Sequence, residues 1–378
     1  MDRRAWRVFI AIVLVTIGVV VVRTTSVLYR EPQQVDDRFP GGRWVTVKPP
    51  LGLVKVPITE YLSDEEMSVI RNVQRMIDDI ELRPPPSFDG YDLRWHVEPA
   101  ALRSTLFAVQ KRVLAALDAA ISPGSPFLRD WPIDIVVGRS QTWLRRILRE
   151  RGCNPNLASW NGVILMAAAV CNRRFIVSNI TGLLFVVRAE QRITAELERR
   201  REPPVSAVPY RLVARGATAL AHEYAHLWRA AGPGGLVLTD EPAWYSEGLA
   251  EFWGGVAFVL AYRGRLNYET QHVVRVRDFF DWSRLCDRPL SAYQTYSPLN
   301  NGCEYHVGLM ALELLYSRYS DLQTTLDSFD RATEFRSFAD WFAASFGVSL
   351  TDFEAEANRY ISRIRRVELA QARVLSPR

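Results

Sequence analysis

Lysine is almost missing from this chain. Lys48, Lys55 and Lys111 are the only three among 47 basic residues, the rest being arginine. A skew of that kind reads as genome base composition rather than as function. Internal repeats and low-complexity segments are absent, which excludes solenoid and disordered classes. None of the four cysteines stands in C-x-x-C spacing, so neither a cysteine zinc site nor a dithiol redox motif is encoded. No nucleic-acid-binding motif is present either. The arginine runs RRILRER (145–151) and ERRR (198–201) are interleaved with glutamate and apolar residues, and they read as solvated helix faces. No nucleic-acid partner is therefore expected, despite a net charge of +5. What remains is a chain of 378 residues, 48% hydrophobic and 11% aromatic, long enough for one large domain or two ordinary ones with a sizeable core.

One long run is both uncharged and apolar: VFIAIVLVTIGVVVV, residues 8–22. Fifteen residues is short for a spanning helix, but extension to Leu28 makes a span if Arg23 snorkels. No A-x-A cleavage site follows, which favours an uncleaved signal anchor over a cleaved signal peptide. Arg3, Arg4 and Arg7 precede the run, so the positive-inside rule keeps residues 1–7 cytoplasmic and sends the remainder outside the cytoplasm. Four cysteines in that compartment favour disulfides. Cys153, Cys171, Cys286 and Cys303 allow three pairings, and the two nearest-neighbour pairs are the most economical. Asn179-Ile180-Thr181 is a glycosylation sequon, relevant only to a eukaryotic chain.

Element signals suggest an α+β class, with strands early and helices late. Residues 29–57 read as a Pro/Gly-rich linker holding one short strand. Residues 58–130 read as a helical region, with helices from Ser63 to about Ile80 and from about Glu98 to Ile121; its role is open between a prosegment, a sheet extension and a partner-binding region. Residues 131–365 form the expected catalytic domain. Within it, WPIDIVVG (131–138) is a strand, TWLRRILRERG a helix, GVILMAAAV (162–170) and RFIVSN (174–179) a strand pair, and VRAEQRITAELERRR an amphipathic helix. Helices then follow, ending in an arginine-rich one, with 366–378 as a basic tail.

The chemistry concentrates at ALAHEYAHLW (219–228). His222 and His226 are four apart on a helix, so both rings project from one face and can meet one metal ion; neutral imidazoles suit zinc. Glu223 lies about 100° round the helix, off that face, where it can reach water rather than the metal. Glu247, in WYSEGLAEF (244–252), follows His226 by 21 positions. A pair of helices brings it beside the histidines as a third ligand, which leaves the fourth position of a tetrahedral ion open, as in catalytic sites. Glu251, one turn on, can accept a hydrogen bond from a ligand histidine and fix its tautomer. His96 and His272 have no motif around them and read as structural.

HEYAH followed by PAWYSEGLAEF resembles the gluzincin metallopeptidases, and most closely the peptidase MA-like domains related to the aminopeptidase N family. EYHVGLMALELL (304–315) is similar to that family's Y-E-K-G-A-x-x-L segment, and FADWFAASFGVSLTDFEAEANRYI (338–361) is similar to its helical tail. The resemblance spans about residues 131–361. It implies a zincin-like fold of a small mixed sheet, an active-site helix and a helical C-terminal lobe. It also implies one Zn2+ on His222, His226 and Glu247, with Glu223 as general base and Tyr305 stabilising the oxyanion; His306 is a second candidate for that donor role. The G-x-M-E-N segment that holds a substrate's free amine in aminopeptidase N relatives is absent, and WNGVILMAAAV offers an edge strand for an extended peptide instead. The expected activity is a membrane-anchored zinc metallopeptidase acting on a peptide or protein substrate. Two alternatives stand beside it: an inactive zincin-fold binding or scaffold module, and a zinc hydrolase of a non-peptide substrate.

Overall fold

The computed structural model describes residues 43–47, 54–58, 63–82, 93–121, 133–155, 168–171, 175–180, 208–231, 238, 240–264, 266–269, 271–272, 286–297 and 302–374. The expected anchor (8–28), the amphipathic helix at 187–201 and the first part of the 162–170 strand lie outside them. Among the described residues no helix is long and apolar enough to cross a membrane.

Strands β1 (Arg43–Val47) and β2 (Val54–Ile58) pair antiparallel, Arg43 opposite Ile58, so the expected linker with one strand holds a hairpin. Helix α1 (Asp64–Asp79) starts where Ser63 and Glu66 predict. The Ser63 hydroxyl accepts from the Glu66 amide and the Glu66 carboxylate accepts from the Ser63 amide, a complete capping box. Val69, Ile70, Val73 and Ile77 give it one buried stripe.

A mixed sheet of four strands follows. Its order is β3 (Leu93–Val97), β4 (Ile133–Gly138), β6 (Phe175–Asn179) and β5 (Ala168–Cys171). The first three are parallel, and β5 runs antiparallel along β6 at the edge. β3 is an element the sequence reading lacks. It extends the sheet from within residues 58–130, so a domain boundary at 130/131 would fall inside one sheet. Helix α2 (Thr105–Ile121) begins seven residues later than the expected Glu98. The reason is a long-range competitor: the Glu98 carboxylate accepts from the amides of Arg139 and Ser140, the latter at 2.9 Å, and residues 98–104 close tight turns instead. Helix α3 (Gln141–Glu150), capped by Ser140, packs on β4 and β6.

The helical part is built on α4 (Val208–Ala231), α5 (Ala243–Ala261) and α6 (Cys303–Arg318). A buried relay ties the sheet to α4: the Ser178 hydroxyl donates to Gln110, whose amide donates to the Gly216 carbonyl. The edge strand β5 and its neighbour β6 both pack on α4. α5 is buried on nearly every face. Its Gly254 lies against Thr218 and His222 of α4, and its Gly248 lies against Gly308 of α6. A Cβ on Gly308 would sit 2.1 Å from the Trp244 carbonyl oxygen, so the α5–α6 approach exists only because both residues are glycine. Around this centre pack α7 (Leu322–Asp330), α8 (Phe338–Phe346) and α9 (Leu350–Val374). α9 continues to Val374, so the expected basic tail from 366 is mostly the end of this helix.

Candidate metal centre

α4 and α5 bring the predicted residues together. His226 Nε2 lies 3.2 Å from His222 Nε2, and Glu247 Oε2 lies 3.4 Å from His222 Nε2 and 3.3 Å from His226 Nε2. These three donor atoms form the one group able to hold a metal ion among the described residues. A tetrahedral zinc with bonds of about 2.0–2.1 Å requires donors about 3.3–3.4 Å apart. The observed triangle fits that edge length. The donor set is also the right chemistry: two imidazoles and one carboxylate, with Glu247 Oε2 buried and without a hydrogen-bond partner.

Why the sequence places them so is visible locally. Four-residue spacing sets His222 and His226 on one face of α4, their rings 4.9 Å apart. Glu247 lies next to Gly248, at the point where α5 also meets α6. Glu251, one turn further, reaches the opposite side of the His222 ring, its Oε1 3.4 Å from Nδ1. That leaves the His222 Nε2 for the cluster, as expected for an orienting carboxylate. His222 is 4% exposed and Glu223 8%, so the motif is well shielded from bulk water.

The histidines and carboxylates of the cluster perturb one another's ionisation. Burial opposes the charged form of His222, but Glu247, Glu251 and Glu223 outweigh it and push the ring up to about 10. Burial likewise raises the Glu247 carboxyl, and the two histidines overcome it and hold it down at about 2. A proton held among these groups would compete with any metal placed there, and the competition would strengthen as pH falls. The Glu223 charge adds to the upward shift of both His222 and Tyr305.

Tyr305, third residue of α6, stacks on the His222 ring at 5.8 Å with a 20° interplanar angle. Burial, followed by the charges of Glu247, Tyr296, Glu251 and Glu223, pushes its phenol well above the usual range, so it remains a hydrogen-bond donor at any ordinary pH. His306 follows on the same helix and is half-buried.

Two residues escaped the sequence reading. Glu304 is fully buried, both carboxylate oxygens lack a hydrogen-bond partner, and the nearby Glu247 charge helps burial raise its pKa. It precedes Tyr305 with no motif of its own, so nothing in the sequence marks it. Tyr296, 65% exposed, lies close enough to Tyr305 to influence its ionisation.

The other singled-out residues lie elsewhere. Cys286 and Cys303 form a disulfide, one of the economical pairs; Cys153 is also disulfide-bonded, and the Cys171 side chain lies outside the described residues. His96 pairs with Asp134 across β3 and β4 at 2.8 Å. His272 is buried between Glu313 (2.9 Å) and Glu66 (3.6 Å), a structural ion cluster that links α1 to α6.

No protein family matches this sequence, and no curated protein or solved structure resembles it to a significant degree.

Proposed function

We propose that this chain is a zinc-dependent metallopeptidase of the gluzincin type, tethered by residues 8–28 with its catalytic domain outside the cytoplasm. The observation that carries the reading is the triangle of His222 Nε2, His226 Nε2 and Glu247 Oε2, whose sides of 3.2–3.4 Å match a tetrahedral zinc edge. Bound there, zinc supplies Lewis-acid polarisation and makes water acidic enough to act near neutral pH.

The chain's own groups supply the rest. Glu223, buried beside His222, takes the water's proton and passes it to the leaving amine. Tyr305, protonated and stacked on His222, donates a hydrogen bond to the scissile carbonyl oxygen as it gains charge. Glu251 holds the His222 tautomer. The backbone of β5, at the sheet edge over α4, offers an extended peptide a strand to pair with. The HEYAH and WYSEGLAEF resemblance implies a small mixed sheet over the histidine helix with helices beyond, and the mixed sheet packed on α4 supports that reading.

The test is zinc content by elemental analysis of the full chain beside Glu223→Gln and Glu247→Ala, with peptide-library cleavage on the same samples. The expected result is about one zinc in wild type and in Glu223→Gln, less in Glu247→Ala, and cleavage in wild type alone. Zinc without cleavage would leave a zinc-binding module; no zinc in wild type would sink the reading.

A further inference from the structure

The helix that carries Glu247 has no cap of its own. α5 begins after Pro242, which makes no side-chain cap hydrogen bond. α6, which carries Tyr305, begins after Gly302 in the left-handed region (φ 74°) and lacks a side-chain cap too. Uncapped starts fray, because the first amides of a helix have no partner within it. Here one segment serves both starts.

Residues 286–297 cross the two helix starts as a strap. The amide of Ala243 donates to the Gln294 carbonyl at 3.0 Å, and the amide of Trp244 donates to the Tyr293 carbonyl at 3.1 Å. The strap's own first residue, Cys286, is joined to Cys303, the first residue of α6. The strap supplies α5's missing cap through its carbonyls and ties α6 covalently.

The strap is in turn held from α9. Leu290 donates its amide to Asn358 Oδ1 at 2.9 Å. Glu354 Oε1 accepts twice: from Gln294 Nε2 at 3.2 Å, on the strap, and from the indole Trp244 Nε1 at 3.1 Å, on α5. One carboxylate oxygen thus locks the strap to the first turn of α5, directly before Glu247. Trp244 is fully buried, and its carbonyl is the atom against which Gly308 of α6 rests. A shift of Trp244 would be passed to both Glu247 and Tyr305.

We propose that Glu354 is a positioning residue of the candidate metal centre, acting through Trp244 and the 286–297 strap to hold Glu247 within ligand distance of the two histidines. This rests on the reading of the cluster as a zinc site. Glu354 touches none of the three donor atoms; its effect is on where α5 begins. It had no place in the sequence reading, because its partners are 110 and 60 residues away.

The experiment uses the full chain. Glu354→Ala, Glu354→Gln and Ser140→Ala are compared with wild type for zinc affinity by chelator competition, for Tm, and for hydrogen exchange of the amides at 243–247. Ser140→Ala removes the cap of α3, on the far side of the sheet, and controls for a general loss of stability. Glutamine keeps the accepting oxygen and should rescue. The expected result is about tenfold weaker zinc binding in Glu354→Ala, the scale on which residues behind a ligand usually act. Exchange at 243–247 should quicken in the same variant, with both readouts near wild type in Glu354→Gln and Ser140→Ala. Glu354→Ala with a lowered Tm but unchanged zinc affinity and unchanged exchange would overturn the proposal. If wild type binds no zinc, the metallopeptidase reading fails separately. Exchange at 243–247 then decides the positioning claim: faster in Ala and restored in Gln sustains the strap, and no difference overturns it.

Discussion

Replacing Gly308 by alanine tests whether the α5–α6 contact sets the position of Tyr305. The added Cβ would lie 2.1 Å from the Trp244 carbonyl oxygen and 2.8 Å from the Gly248 Cα, whereas real Cβ contacts essentially never fall under 3.0 Å. Both obstacles are backbone, so no side chain can swing aside. α6 must withdraw by roughly 1 Å, and Tyr305, less than one turn away on the same rigid helix, moves with it. Overpacking of this kind costs about 1–3 kcal/mol. A displacement of about 1 Å at a catalytic group costs on the order of a hundredfold in rate. Trp244 is held by Glu354 and by the Tyr293 carbonyl, so α6 rather than α5 is the element that yields, and zinc stoichiometry should survive. The assays are urea denaturation, zinc content and peptide hydrolysis. Gly347→Ala is the comparison: that glycine has φ 69° and open space around its Cβ position, so alanine there brings only backbone strain, about 1–2 kcal/mol, and no loss of rate. Gly308→Ala with wild-type stability, or with rates no lower than Gly347→Ala, would refute the argument.

Two further expectations concern pH and metal. Buried Asp118 accepts from the Tyr224 hydroxyl, and burial raises its carboxyl from 3.8 to about 6, against the lowering effect of that hydrogen bond. A carboxyl raised in the folded state binds its proton more tightly there, so its contribution is present below about pH 4 and is lost as pH rises to about 6. Asp118→Asn keeps the acceptor without the charge, and its stability relative to wild type should grow across that window by about 2–3 kcal/mol; a difference that stays flat in denaturation series from pH 4 to 7 would count against it. Zinc at about 100 times its Kd should stabilise wild type by about 2.7 kcal/mol in calorimetry, and a chelator should reverse the gain, with little response in Glu247→Ala; equal response in both would remove Glu247 from the ligand set.

The sequence carried the parts of the molecule that depend on short spacings. Ser63 with Glu66, His222 with His226, and Glu247 with Glu251 all lie three or four residues apart, and helical geometry turns such spacings directly into contacts. The 21-residue step from His226 to Glu247 was readable because two helices are the simplest way to close it. What failed depended on partners far along the chain. β3 is five residues of mixed burial, recognisable as a strand only once β4 lies beside it. The residues after Glu98 look helical alone, and only the amides at 139 and 140 explain why they turn. Glu304 and Glu354 have no local pattern at all; their importance arises from burial and from long-range hydrogen bonds.

The burial of α5 on nearly every face has a consequence during synthesis. Its nineteen residues hold only two charged side chains, Glu247 and Glu251. A segment of that length with no charge would approach the composition of a spanning helix. For a chain expected to pass through an export channel, that is a hazard, because the channel offers each apolar segment a way into lipid. A charged residue at the centre of such a segment opposes partitioning by about 2.5–3.5 kcal/mol; Glu251 lies near the centre, and Glu247, one turn earlier, adds a smaller cost. In an exported chain, the two carboxylates that lie against His222 in the folded protein would therefore also oppose entry of α5 into the bilayer before folding begins.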